Sequence, residues 1–144
     1  LKETPGKTHT QTILNWVKSL GGWFTDDETP WCGTFVAYCV KQAGIQDIPK
    51  DWFRAREWES WGQSSLPRVG AVVIFSREGG GHVGFLVGES TANYYVLGGN
   101  QSNAVNITPI AKSRATAIRW PSTLPLSEVK LPKMTGGTVS KNEA

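Results

Sequence analysis

The sequence predicts an α+β domain in which helices pack on one face of an antiparallel sheet. Helix-period apolar spacing fills the first 61 residues, and strand-like apolar runs fill 70–120. The connections between those runs are short and turn-rich, as an antiparallel meander requires. With 144 residues, 39% hydrophobic and 19% charged, the chain can bury a core and does not read as disordered.

Residues 1–8 read as a loose arm, with His9 exposed behind it. Thr10 to Leu20 is predicted as a helix, since Ile13, Leu14, Trp16, Val17 and Leu20 form one apolar stripe that Gly21-Gly22 ends. Residues 23–29 form a polar loop. A second helix follows from Pro30: proline suits a helix start, and Asp26, Asp27 and Glu28 upstream carry the charge a helix N-terminus favours. Phe35, Val36, Cys39, Val40 and Ala43 make its apolar face, and Gly44 stops it as a C′ glycine. A turn over 46–49 leads to Asp51, which is expected to cap a short helix from Trp52 to Trp61 closed by Gly62.

From Pro67 the pattern changes to strands. The run 70–75 is nearly all apolar, as for a strand buried on both faces. A glycine-rich turn over 76–81 separates it from a second strand, 82–88. A third covers 94–98, ending in Gly99-Asn100-Gln101, and 105–110 and 115–120 give two more. Pro, Ser, Thr, Lys and Gly dominate after Pro121. Residues 1–120 are therefore expected to form one domain and 121–144 a tail or linker.

Cys32 occupies the first turn of the second helix, where backbone N–H groups lack helical acceptors and the dipole is positive. That setting favours the thiolate and offers donors to an oxyanion. Cys39, two turns further down the same face, reads as core. The two cannot form a disulfide within one helix, because their Cα atoms would be about 10.5 Å apart. Most free cysteines are inert packing, so Cys32 needs a base. His82 opens a strand directly after Gly79-Gly80-Gly81, a rim position, and is the credible one of the chain's two histidines. A hairpin of the second and third strands brings the start of one beside the end of the next. Asn100 or Gln101 then lies within reach of the imidazole. Asn100 is expected to accept from Nδ1–H and leave Nε2 facing the thiol, with Gln101 beside the substrate. Trp31, Trp52 and Trp58 are the expected aromatic walls of the cleft, although packing as core is an equally ordinary use of tryptophan.

Other chemistries fit less well. Cys32, Cys39 and His82 do not have the spacing of a zinc site, and no cofactor is expected, so activity should survive a chelator. A Ser–His–Asp enzyme lacks a nucleophile elbow. Glu57 and Glu59 sit two apart on a helix and point to different faces, which weakens a glycosidase reading. The net charge of +3 and pI near 9.0 suit a polyanionic partner. No Lys/Arg block marks a nucleic-acid partner, and no apolar run is long enough to span a membrane. The N-terminus has no signal-peptide core and no Met, as expected of a processed or excised domain.

Pro-Trp-Cys-Gly-Thr-Phe-Val (30–36), Gly-Ala-Val-Val-Ile-Phe (70–75), Gly-His-Val-Gly-Phe-Leu-Val-Gly (81–88) and Gly-Gly-Asn-Gln (98–101) occur in an order that resembles the CHAP amidohydrolases and their NlpC-type relatives. The resemblance covers about residues 10–120 and is strongest to catalytic domains of phage endolysins and related bacterial enzymes. It implies a papain-like fold, a helix-borne Cys32, a strand-borne His82 and a polar third residue, here Asn100. Many members carry Glu near that third position, where this chain has Asn100-Gln101. The implied reaction is hydrolysis of a peptidoglycan amide, and the implied partner is bacterial peptidoglycan, met by a monomer. The implied route is synthesis in a host cytoplasm and action on the cell wall. A secreted antibacterial toxin with the same chemistry and a non-catalytic wall-binding module are the alternatives.

Overall fold

The computed structural model describes residues 31–77, 79–101, 104–126 and 128–140. The expected arm, first helix and polar loop fall outside the described residues. In chain order the elements are helix α1 (Cys32–Gln42), a 3₁₀ helix (Ala55–Ser60), β1 (Gln63–Ser64), β2 (Val72–Arg77), β3 (Gly80–Glu89), β4 (Asn93–Gln101), β5 (Ala104–Ala111), a second 3₁₀ turn (Lys112–Arg114) and β6 (Ala115–Trp120). The strands form one antiparallel sheet in the order β1-β6-β2-β3-β4-β5. The class is α+β, as expected. The sixth strand is β1, which pairs through Gln63↔Trp120 and Ser64↔Arg119. Two residues are too few to show a strand period.

Helix α1 begins without a side-chain cap on Trp31. Its first ladder bond runs from Phe35 N–H to Trp31 O at 3.0 Å. It stops in a Schellman motif: Gly44, at φ 90°, donates to Lys41 O, and Ile45 donates to Val40 O. Its first turn and the face continued by Val36, Ala37 and Val40 are buried.

The sheet is covered on both sides, which explains the continuous apolar run of β2. Val72 and Ile74 join Val83 under α1, with Trp31, Phe35 and Val36. Val73 and Phe75 face the opposite way, against Leu86, Tyr94, Val96, Ile110 and Leu131. Leu131 belongs to the segment expected as tail or linker. That segment lies along the sheet: Val69 N–H donates to Val129 O, Met134 N–H to Glu89 O, and the Tyr95 hydroxyl to Gly136 O at 2.6 Å. Bridges pair Arg68 with Lys130 and Ile110 with Ser140.

The expected helix over 52–61 is a correction. Residues 51–53 form a turn, and only Ala55–Ser60 is helical, as 3₁₀ with no side-chain cap at Arg54. Tertiary anchors override the helical spacing. The Trp58 indole donates to Trp52 O at 2.9 Å and the Trp61 indole to Asp47 O at 2.7 Å. Each ring is tied to backbone that a regular α-helix would carry away.

The close approach of α1 to this turn rests on Gly33. A Cβ there would lie 2.5 Å from Trp52 O and 2.9 Å from the Phe53 carbonyl carbon. Gly33→Ala is expected to destabilise the domain by about 1–3 kcal/mol through overpacking against backbone. A fall in the urea midpoint at unchanged slope is the measurement that checks it.

Candidate active site

Cys32 is the first residue of α1, His82 lies on β3 opposite Phe75 of β2, and Gln101 is the last residue of β4. Helix α1 crosses this end of the sheet, so the three meet beneath its N-terminus. All are nearly inaccessible, Cys32 at 3%, His82 at 0% and Gln101 at 1%. Phe75 stacks on the imidazole with ring centroids 6.5 Å apart, which fixes the plane of the ring.

The hydrogen bonds assign the imidazole's two nitrogens. The Gln101 Nε2 amide donates to Asn106 O at 2.9 Å, Asn106 Oδ1 at 2.7 Å and Val96 O at 3.2 Å. The amide nitrogen is thus committed to acceptors away from the histidine. The Gln101 Oε1 then faces His82 Nε2 at 2.9 Å, and an oxygen there requires Nε2 to carry the proton. Asn106 is itself oriented, since its Nδ2 donates to Gln101 O and its Oδ1 accepts from the Thr108 hydroxyl. His82 Nδ1 is left for the thiol, with which His82 shares a side-chain hydrogen bond.

The thiol's electrostatics follow. Burial alone would push the Cys32 pKa up. The hydrogen bond and charge of His82, a backbone hydrogen bond at Val83 and the charge of Arg77 outweigh it and hold the thiol below its ordinary range. Cys39 has no such neighbours among the described residues, and burial raises its pKa. Trp31 supplies no side-chain acceptor to the helix start. The N–H groups of the first turn, that of Cys32 among them, have no intrahelical acceptor and receive no side-chain cap from Trp31.

Cys32 sits on the floor of an open cleft of about 470 Å³. One wall is Phe53, Arg54, Ala55, Arg56 and Glu57 of the 3₁₀ segment. The other is Arg77 with the glycine turn, Gly79 to Gly81.

The sequence placed Cys32 and His82 together, and the structure does bring them together. Gln101 Oε1 meets the imidazole at Nε2, while the bond expected from Asn100 to Nδ1 falls on a side chain outside the described residues. Carrying the pairing Phe85↔Leu97 back three residues on β3 and on three along β4 sets Asn100 opposite His82. A register shift between Gly98 and Gln101 intervenes in the β4–β5 ladder, where a bulge re-aims side chains. Gln101, expected beside the substrate, is buried under the histidine. Trp31, Trp52 and Trp58 are also buried and belong to the core cluster, so they offer no ring face to a ligand. Arg56, on the face of the 52–61 segment that its spacing suggested as one side of a cleft, does line it; exposed Arg54 and half-buried Arg77 have no spacing signature that would mark them.

Gly98 makes the His–Gln contact possible: a Cβ there would lie 2.5 Å from Gln101 Oε1 and 3.2 Å from His82 Nε2. Long-range ¹H–¹⁵N spectra should show His82 protonated at Nε2 across the folded pH range. In Gly98→Ala that proton should exchange with water and its signal broaden or vanish; an unaltered signal would count against the contact.

No curated protein matches this chain. A family model described as the CHAP domain matches residues 24–100, more than half of the 144. The match takes in Cys32 and His82 and ends one residue short of Gln101. The chain belongs to the CHAP domain family, whose members are generally hydrolases acting on peptidoglycan.

Proposed function

We propose that this chain is a cysteine amidohydrolase or peptidase that cleaves an amide bond of bacterial peptidoglycan with Cys32, His82 and Gln101. The observation that carries the reading is the buried line from the Cys32 thiol through the imidazole to a glutamine whose own amide is locked. Such a line holds the ring in one tautomer and aims its basic nitrogen at the nucleophile.

In this mechanism the Cys32 thiolate attacks the amide carbonyl carbon, and the carbonyl electron pair moves to oxygen. The Cys32 N–H at the helix start donates to that oxyanion, an interaction worth about 3 kcal/mol per donor. The imidazolium gives its Nδ1 proton to the leaving nitrogen, the C–N bond breaks, and a thioester remains. Water, deprotonated by Nδ1, attacks the thioester and releases the acid and the free thiol. Gln101 holds His82 throughout and takes no proton.

The wider role that goes with this reading is lysis of the wall by an enzyme made in a host cytoplasm, as in a phage endolysin. The net charge of +3 supports adhesion to an anionic wall, a component that salt weakens.

The test is amine release from purified peptidoglycan, with mass spectrometry of the fragments. Wild type and Cys39→Ala are expected to cleave alike. Cys32→Ala should lose at least about 10³-fold, and His82→Ala about 10²–10⁴-fold. The new termini name the bond. Persistent cleavage by Cys32→Ala contradicts the thiol mechanism and turns attention to the acids.

A further inference from the structure

The cleft above Cys32 carries more positive charge than the chemistry of a neutral amide needs. Of its three arginines, Arg56 is committed, with Nε donating to Glu59 Oε1 at 2.9 Å. Among the described residues neither Arg54 nor Arg77 forms an ion pair. One carboxylate, Glu57, shares the lining with them. Arg54 lies over the Phe53 ring, its guanidinium carbon 5.7 Å from the centroid.

Arg77 is the better placed of the two. It ends β2 and lines the cleft beside the glycine turn, and its Nε donates to Gly81 O at 2.9 Å across the hairpin turn. That bond holds the guanidinium in one orientation and leaves the Nη edge as the part it can offer. Two parallel N–H groups on a planar fork match the two oxygens of a carboxylate. A half-buried arginine already fixed in place loses little freedom on binding, unlike a surface lysine.

We propose that Arg77, with Arg54 lining the same cleft, binds a substrate carboxylate next to the scissile amide, so that the enzyme selects stem peptides bearing a free carboxylate there. This rests on the peptidoglycan-hydrolase reading above. Such a carboxylate has two sources in a stem peptide: the α-carboxylate of a γ-linked glutamate within the chain, or the carboxylate at its C-terminus.

Three matched disaccharide–peptide fragments test it: both carboxylates free, the in-chain one converted to carboxamide, and the terminal one converted to carboxamide. Wild type should lose about tenfold or more in kcat/KM on one of the two carboxamides, the usual scale for a charge-assisted hydrogen bond. The one that matters names the source. Arg77→Gln should level the fragments, and Arg77→Lys should keep part of the preference. The ratio between fragments cancels any effect of Arg77 on the thiol itself. Calorimetric binding of the same fragments to Cys32→Ala, with and without Arg77→Gln, reads recognition without turnover. Equal cleavage of all three fragments by wild type, or a preference that survives Arg77→Gln and Arg54→Gln, overturns the carboxylate site and leaves the hydrolase reading standing. No cleavage, with Arg77-dependent binding of the free carboxylate, removes the hydrolase reading and keeps the site. Neither cleavage nor selective binding removes both.

Discussion

The hydrogen bond between His82 Nε2 and Gln101 Oε1, 2.9 Å long and shut off from water, is the constraint on which the rest depends. A buried imidazole would ordinarily lose its proton, and a buried thiol would keep its own. Here the hydrogen bond and charge of His82 outweigh burial and favour the Cys32 thiolate. Gln101 decides which nitrogen takes part. Because its amide nitrogen is held by Asn106 and Val96, its oxygen stays on Nε2, which leaves Nδ1 as the nitrogen free of Gln101. The assignment rests on a hydrogen-bonded chain that runs from Gln101 to Asn106, whose Oδ1 accepts from the Thr108 hydroxyl, all on two adjacent strands.

The fold serves this contact through small residues at the points of closest approach. Gly33 lets α1 lie on the 52–53 backbone, Gly98 lets Gln101 reach the imidazole, and Gly99 makes room for Trp31 and Phe35, whose atoms would lie within 2.9 Å of a Cβ. The buried tryptophans surround this arrangement as rigid packing. What stays open is the cleft, whose walls are arginine, phenylalanine and glycine. Cys32, His82 and Gln101 are held by the dry interior and the arginines by the wet rim, and the charge of Arg77 links the two by helping to hold the Cys32 thiol down.

Much of this was legible in the sequence, for identifiable reasons. The C′ glycine at Gly44, the spacing of Phe35, Val36 and Val40, and the alternation of turns with apolar runs are local signals, and they located α1 and β2 to β6 but not the two-residue β1. Cys32 was legible because proline, acidic residues and an apolar stripe converge on it. The meeting of Gln101 with His82 Nε2 was not, since it follows a register shift in the β4–β5 ladder between Gly98 and Gln101, and a shift depends on tertiary packing. The 52–61 segment misled for the same reason: its spacing is helical, but Trp58 and Trp61 are anchored to distant carbonyls. Leu131 lies in a polar, proline-rich stretch that carries no period, and only the sheet face it covers reveals its place in the core.

The central claim is that Cys32 is held as a reactive thiolate by an oriented His82, and the pH dependence of alkylation tests it most directly. Iodoacetamide would be applied to the native protein, with modification of Cys32 and Cys39 followed separately by peptide mass spectrometry. Cys32 should react readily at about pH 6–7, where an ordinary thiol is almost wholly protonated. Its reactivity should titrate well below that of Cys39, whose pKa burial raises. Cys32 reactivity that rises only in the ordinary thiol range, or that lags behind Cys39 throughout, would contradict the account.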